Sequence, residues 1–161
     1  MVVLLCSCGK NPLLAPGSTI SATINGVPEK FDFIDSVGYS NNGTWYTMTV
    51  TGKSSAADTA DLIELSVFSK TPVTTGTYTF VPTMAQQLPA STVLIVYKLK
   101  GSSNFLDDYV VDNPAGPISI TINQLSKTRV QGTFSGTLVV AAGSSGATKV
   151  FTDGVFDLGS K

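Results

Sequence analysis

Residues 18–33 read STISATINGVPEKFDF, and this stretch decides the fold class. Its first half alternates apolar with small polar residues, which is the period of a strand that buries one face, and the apolar positions are Ile20, Ala22 and Ile24. Asn25 and Gly26 follow, and Asn-Gly is the pair preferred in the two-residue type I′ turn of a β-hairpin. The stretch therefore predicts an opening hairpin whose return strand carries Phe31 and Phe33 on one face.

The same alternation recurs along the rest of the chain, interrupted by turn residues. Seven further strands are predicted, over residues 45–51, 62–68, 77–81, 93–99, 118–122, 130–140 and 150–158. Residues 93–99 (VLIVYKL) are almost continuously apolar, so a central strand covered on both faces or at one end is expected there. The one helical candidate, residues 54–60, is short and rich in serine. The pattern therefore indicates about nine strands and no convincing helix.

An all-β fold follows from this pattern. Nine strands that each bury one face need a second apolar surface to pack against, which predicts a two-sheet antiparallel β-sandwich, with a partly open β-barrel as the alternative. The chain has 161 residues, a length that suits one domain with a real core. We expect this domain over residues 18–161, preceded by a flexible tether over residues 9–17 (GKNPLLAPG) that contains two prolines.

The first eight residues fit the end of a lipoprotein signal peptide. Leu5-Cys6-Ser7-Cys8 follows an apolar run and has the order of a lipobox: an aliphatic residue, a tolerant position, a small residue and a cysteine. Residues 1–8 are thus interpreted as a truncated signal peptide, with palmitate-type acylation of Cys8 and cleavage before it. The alternative is that residues 2–5 form a first strand and that both cysteines are buried. Cleavage would leave a domain without a free thiol, which excludes a disulfide, a Cys-based zinc site and a cysteine nucleophile.

Composition argues against catalysis and against nucleic acid as a partner. The chain is 13% charged, has a net charge of −1 and contains no histidine. Without histidine, Ser-His-Asp and Cys-His arrangements cannot form, and the commonest metal ligand is missing. The ten Lys and Arg residues are scattered, whereas a nucleic-acid binder clusters them on one face. We therefore expect no enzymatic activity, no cofactor and no dedicated metal site.

Oxygen ligands concentrate in one segment, residues 104–113 (NFLDDYVVDN). Loops of this kind bind calcium through carboxylate and amide oxygens, but the spacing here fits no EF-hand loop. An acidic loop whose carboxylates are solvated is the simpler interpretation, and calcium binding is the alternative.

Aromatic and amide side chains around a predicted hairpin loop are the candidate ligand-binding residues. Tyr39 and Trp45 flank the loop, and Asn41 and Asn42 lie within it. An aromatic ring can stack on a sugar while an amide binds its hydroxyl groups. The alternative is that Trp45 merely lies against a neighbouring loop, with Tyr46 in the core.

Two short segments are candidates for O-glycosylation. Asp35-Ser36-Val37 and Asp58-Thr59-Ala60 fit an Asp-Ser/Thr-apolar pattern, so Ser36 and Thr59 are the candidate acceptors. Both segments are equally compatible with ordinary loops.

The order of these features resembles a family of small lipoproteins from Bacteroidetes-type bacteria whose function is unknown. The segments that carry the resemblance, after the lipobox and tether, are residues 24–26 (ING), 76–78 (GTY), 118–122 (ISITI), 130–134 (VQGTF) and 153–157 (DGVFD). The resemblance implies a β-sandwich held at the outer membrane, on either its periplasmic or its surface side.

The expected function is accordingly that of a lipid-anchored cell-envelope protein. A non-enzymatic binding module is favoured, and its partners would be the membrane, through Cys8, and a glycan or an envelope protein. The alternative is a structural or accessory subunit of a surface assembly, such as a fimbria-like or nutrient-uptake complex.

Overall fold

The computed structural model describes residues 17–57, 59–80, 89–101, 109–110, 117–140 and 147–159. Within these ranges the chain contains eleven strands and no helix. The strands are β1 Thr19–Ile24, β2 Val27–Lys30, β3 Phe33–Asn41, β4 Tyr46–Lys53, β5 Leu62–Ser69, β6 Gly76–Thr79, β7 Ser91–Lys98, β8 Tyr109–Val110, β9 Ser119–Leu125, β10 Arg129–Val140 and β11 Thr148–Gly159. The predicted all-β class is confirmed.

The strands form two antiparallel sheets. The six-stranded sheet has the order β6-β9-β10-β11-β1-β2, and the four-stranded sheet has the order β7-β5-β4-β3. The two-residue strand β8 links them, because Val110 pairs with Val139 of β10 and with Val96 of β7. Among the described strands, β2 and β3 do not pair with each other, so the sheets are not closed into a barrel. The architecture is the predicted β-sandwich.

The opening hairpin forms as its sequence predicts. Asn25 and Gly26 have φ angles of 50° and 82°, and a type I′ turn requires positive φ at both positions. The return strand differs from expectation, because β2 ends at Lys30 and the chain crosses to the other sheet. Phe31 is buried at this crossing, whereas Phe33 begins β3 and is 49% exposed. The two phenylalanines therefore do not share one strand.

The core lies between the inner faces of the two sheets. Tyr97 of the four-stranded sheet reaches across it and makes edge-to-face contacts with Phe31 and Phe151, with ring centroids 6.1 Å and 5.5 Å away. Fully buried aliphatic side chains surround this cluster, among them Ile20, Met48, Ile63, Leu65, Ile95, Ile118, Ile120, Ile122 and Leu138. Apolar alternation in the long strands other than β3 thus builds one shared core.

One sequence expectation is wrong in detail. The apolar run at residues 93–99 is not a central strand: β7 ends the four-stranded sheet beyond β5 and is flanked only by the short β8. Residues 54–60 offer no convincing helix in the sequence, and their described part forms turns, with the Ser54 N–H donating to the Asp61 carbonyl at 2.9 Å. The structure has eleven strands, whereas the sequence pattern predicts about nine. The two additional strands, β3 and β8, carry little apolar alternation, so the pattern does not predict them.

Residues 1–16 lie outside the described part of the chain, so the predicted signal peptide, Cys8 and most of the tether do as well. Residues 104–108 and 111–113 of the acidic segment also lie outside it, while Tyr109 and Val110 form β8. The described chain begins and ends side by side, because the Gly159 N–H donates to Ser18 Oγ at 3.1 Å.

Candidate functional site

The side chains of Asn41 and Asn42 build the β3–β4 turn. Asn41 Oδ1 accepts the Gly43 N–H at 2.8 Å, and Asn42 Oδ1 accepts the N–H groups of Thr44 and Trp45 at 3.0 Å and 2.8 Å. These are the local bonds by which asparagine stabilises tight turns. Both carboxamide oxygens are therefore engaged within the loop, which leaves the NH2 groups to face a ligand.

Two of the four predicted binding residues share a strand face. Tyr39 and Asn41 pair with Met48 and Tyr46, so they lie on the face of β3 that continues the core side of the sheet. Asn42 and Trp45 lie outside both strands, in the turn, where Asn42 Oδ1 accepts the Trp45 N–H.

Trp45 already has a cationic neighbour. Lys70 Nζ lies 5.9 Å from the centroid of the indole ring, at the distance of a cation–π contact, and the indole is half-buried. One side of the ring is therefore occupied, and only the remaining side could stack on a sugar.

Tyr39 is 53% exposed near the end of β3. Desolvation of its hydroxyl raises the pKa of Tyr39 to about 12. The phenol therefore stays protonated at physiological pH and can donate a hydrogen bond.

A second candidate surface lies on the outer face of the six-stranded sheet and contains two shallow depressions. A depression of about 370 Å³ lies beside the ends of Ser135 and Asp153, and a second of about 190 Å³ lies beside Gln131 and Asp157. Both depressions are lined by Thr133 and Val155, so they are contiguous. We call this surface the sheet-face groove, and its side chains are Ser119, Asn123, Gln131, Thr133, Ser135, Asp153, Val155 and Asp157.

A β-bulge shapes the larger depression. The β10–β11 ladder shifts register between Phe134 and Gly136, so that Thr152 and Asp153 together face Ser135. Asp153 is exposed and has φ of 51°, the left-handed region that residues other than glycine rarely adopt. Such strained positions are concentrated at functional sites, and this one places a carboxylate at the edge of the depression.

Hydroxyl groups are aligned across the groove by strand register. Thr77, Thr121 and Thr133 occupy matched positions on β6, β9 and β10, and the hydroxyl oxygens of Thr77 and Thr121 are 2.9 Å apart. The next row contains Ser119 and Ser135, whose hydroxyl oxygens are 3.5 Å apart. The outer face around the groove is therefore covered by groups that both donate and accept hydrogen bonds.

At the far end of the groove, hydrogen bonds from Arg129 and Gln131 hold the carboxylate of Asp157 in place. Arg129 donates to both carboxylate oxygens of Asp157, from Nε at 2.9 Å and from Nη2 at 2.6 Å, and Gln131 Nε2 donates to Oδ2 at 2.8 Å. These hydrogen bonds, first of all those from Arg129, lower the pKa of Asp157 below its ordinary value. Asp157 is therefore ionised at neutral pH and paired with Arg129.

Sequence reasoning missed this groove because each of its three strands contributes only two or three of its residues. Ser119 and Asp153 lie far apart in the chain and line the same depression only through the β9–β10–β11 pairing. One local signal was present: Gly154 inside a strand pattern indicates a bulge, and Asp153 is its neighbour.

The remaining sequence-predicted residues are placed as follows. Ser36 lies on β3 and Thr59 in the turn before β5, and both are exposed. Within the described ranges, no three Cys, Asp or Glu side chains come together as a group that could bind a metal ion. A membrane-spanning helix is likewise not found in the part of the chain that the structure describes.

Comparison with known proteins yields no match for this chain among family models, curated proteins or solved structures. Function is therefore inferred from the geometry of the hairpin and of the sheet-face groove.

Proposed function

We propose that this chain is a non-enzymatic binding module of the bacterial cell envelope, anchored through acylated Cys8, and that it binds a carbohydrate in the sheet-face groove. The observation that carries the proposal is Asp153, an exposed carboxylate held in the left-handed conformation beside a depression of about 370 Å³. Small-molecule sites typically begin at about 300 Å³, so the space suits a sugar unit.

The lining of the groove matches the chemistry of an uncharged polyol. A carboxylate such as Asp153 accepts hydrogen bonds from sugar hydroxyls, and the hydroxyls of Thr133 and Ser135 can donate or accept. Val155 is 43% exposed between the two depressions and offers an apolar contact for the C–H face of a ring. An anionic ligand is disfavoured, because Asp153 repels anions and Arg129 is already paired with Asp157.

The two carboxylates of the groove are unsuited to glycoside hydrolysis. Asp153 and Asp157 are four residues apart on β11, which corresponds to roughly 13 Å along a strand. The catalytic carboxylates of glycosidases are about 5 to 9.5 Å apart, and one of them must be protonated. The lowered pKa of Asp157 opposes protonation. Binding without turnover is the activity that fits these residues.

A glycan array followed by titration calorimetry tests the groove. The full chain would be produced in a cytoplasm, where it is not acylated, and screened against envelope, dietary and mucosal glycans. For any glycan bound, Asp153→Asn and Thr133→Val should each weaken binding at least about tenfold, the effect of losing one or two hydrogen bonds. Thr137→Val is the matched control, because Thr137 lies on the same strand but lines neither depression.

The same experiment separates the groove from the hairpin. Trp45→Ala should leave glycan affinity unchanged. If Trp45→Ala abolishes binding while Asp153→Asn does not, the hairpin is the binding surface and the groove proposal is wrong. An array without any bound glycan would also contradict carbohydrate binding.

The lipid anchor is tested by metabolic labelling with a palmitate analogue in a bacterial host. The chain should be labelled, Cys8→Ser should abolish the label, and Cys6→Ser should leave it intact. A chain that takes no label would contradict the anchor and leave the groove proposal to be judged on binding alone.

A further inference from the structure

Strand β3 is an edge strand that lacks the usual protection against pairing with another chain. It is nine residues long and pairs with β4, and no other described strand pairs with it. Natural sheets protect such edges with proline, charge, short length or a bulge. After Asp35, where the ladder with β4 shifts register, the segment from Ser36 to Asn41 contains neither a charge nor a proline.

The edges of the six-stranded sheet are protected. Strand β2 carries Pro28, Glu29 and Lys30 within four residues, and β6 is only four residues long. In the four-stranded sheet, the edge of β7 opposite β5 pairs in part with β8, at Val96 and Tyr97, whereas β3 pairs only with β4 among the described strands. This contrast favours β3 as the edge that can accept another strand.

The sequence of β3 is complementary to itself in the antiparallel direction. With a two-fold axis through Gly38, Val37 lies opposite the partner's Tyr39, and Ser36 lies opposite the partner's Ser40. An aromatic side chain opposite a β-branched one is a favourable cross-strand pair, and it would cover Tyr39, which is 53% exposed. Asp35 would face the partner's Asn41 and keep its ion pair with Lys53 at 3.3 Å, so no like charges meet.

We infer that two copies of this chain associate through their β3 strands and form a continuous eight-stranded sheet from their two four-stranded sheets. The two-fold axis is perpendicular to that sheet, so the core-side faces of both copies lie on the same side. The groove on the six-stranded sheet stays open in this dimer. The inference goes beyond carbohydrate binding and does not depend on it.

Substitution of Gly38 tests the dimer. A side chain is tolerated there, because an added Cβ meets no atom within 4 Å. In reducing buffer, analytical ultracentrifugation of the full, unacylated chain should show a dimer over a concentration series. Gly38→Lys and Gly38→Glu should each sediment as monomers, because like charges would meet at the axis. An equimolar mixture of the two variants should restore a dimer.

Val27→Lys is the matched control, since it adds the same charge to the exposed edge strand β2. It should leave the dimer intact. A wild-type chain that stays monomeric throughout the series, or equal loss of dimer in Gly38→Lys and Val27→Lys, would overturn the inference.

Disulfide trapping tests the register. Directly opposed residues of antiparallel strands have Cα atoms about 4.5 to 5.5 Å apart, within reach of a disulfide. In a Cys6→Ser, Cys8→Ser background, Gly38→Cys should therefore form a covalent dimer on mild oxidation. Ser36→Cys should not, because its counterpart is the partner's Ser40. The reverse result would overturn the proposed axis.

Discussion

Phe134 and Gly154 are direct cross-strand partners, and the phenyl ring occupies the space that a side chain at position 154 would need. Gly132 and Phe156 form the same arrangement two residues away, with the aromatic residue on the other strand. Each ring therefore packs on the bare backbone of the opposite strand. This reciprocal packing holds β10 and β11 together directly beneath the groove.

The first prediction concerns this packing. An added Cβ at position 154 would overlap the Phe134 carbonyl and lie 2.8 Å from two carbons of its ring. Gly154→Ala should lower the free energy of unfolding by about 2 kcal/mol or more, the cost of overpacking a close contact. Gly38→Ala, where the added Cβ meets nothing within 4 Å, should be neutral or slightly stabilising. Denaturant unfolding of both variants is the measurement, and equal stabilities would contradict the proposed packing.

The second prediction concerns the bulge. Because Asp153 has φ of 51°, Asp153→Gly should relieve backbone strain and stabilise the fold by up to about 1 kcal/mol. Asp153→Ala keeps the strain and should be less stable than Asp153→Gly by roughly 1 kcal/mol. Thermal unfolding gives the order of stabilities. A glycine variant that is more stable but no longer binds carbohydrate would indicate that the aspartate serves binding at a cost in stability; one that is clearly less stable would show that the aspartate stabilises the bulge.

The third prediction concerns acid stability. The pKa of Asp157 is lowered in the folded state, so the unfolded state takes up a proton more readily there, and the resulting stability is present above the unfolded pKa. That contribution should be lost as the pH falls below about 4, through the folded pKa. Asp157→Asn should therefore show a smaller drop in melting temperature between neutral and acidic pH than the wild type. Equal drops would mean that the Arg129 pair contributes nothing to stability.

The fourth prediction concerns the aromatic cluster. Phe151 is 1% exposed and contacts Tyr97 and Phe134, with ring centroids 5.5 Å and 6.4 Å away. Phe151→Ala should cost about 3–5 kcal/mol, the range for truncating a buried aromatic residue. Phe33→Ala should change stability by only about 0.5 kcal/mol, because Phe33 is 49% exposed. Urea unfolding of both variants would test this contrast, and similar losses would contradict the placement of Phe33 outside the core.

The hairpin and the groove differ in how far the sequence could predict them. Tyr39, Asn41, Asn42 and Trp45 are close in sequence, so their proximity was evident, but only Tyr39 and Asn41 lie on the strand, where register places them on one face. The residues of the groove lie on three consecutive strands, and the register of the β9–β10 and β10–β11 ladders, including its shifts, decides which of them line one surface. Nothing local indicates that Ser119 lies near Asp153.

The sequence by itself determined the elements whose causes are local. Alternation of Ile20, Ala22 and Ile24 determined a strand with one buried face, and Asn25-Gly26 determined its turn, because both depend on the geometry of a few adjacent residues. Only the tertiary structure decided which strands became edges, where the bulge at Asp153 fell, and which hydroxyl groups shared one surface. Strand pairing joins residues as distant as Ile20 and Phe156, and the register that joins them is selected by the packing of the whole core.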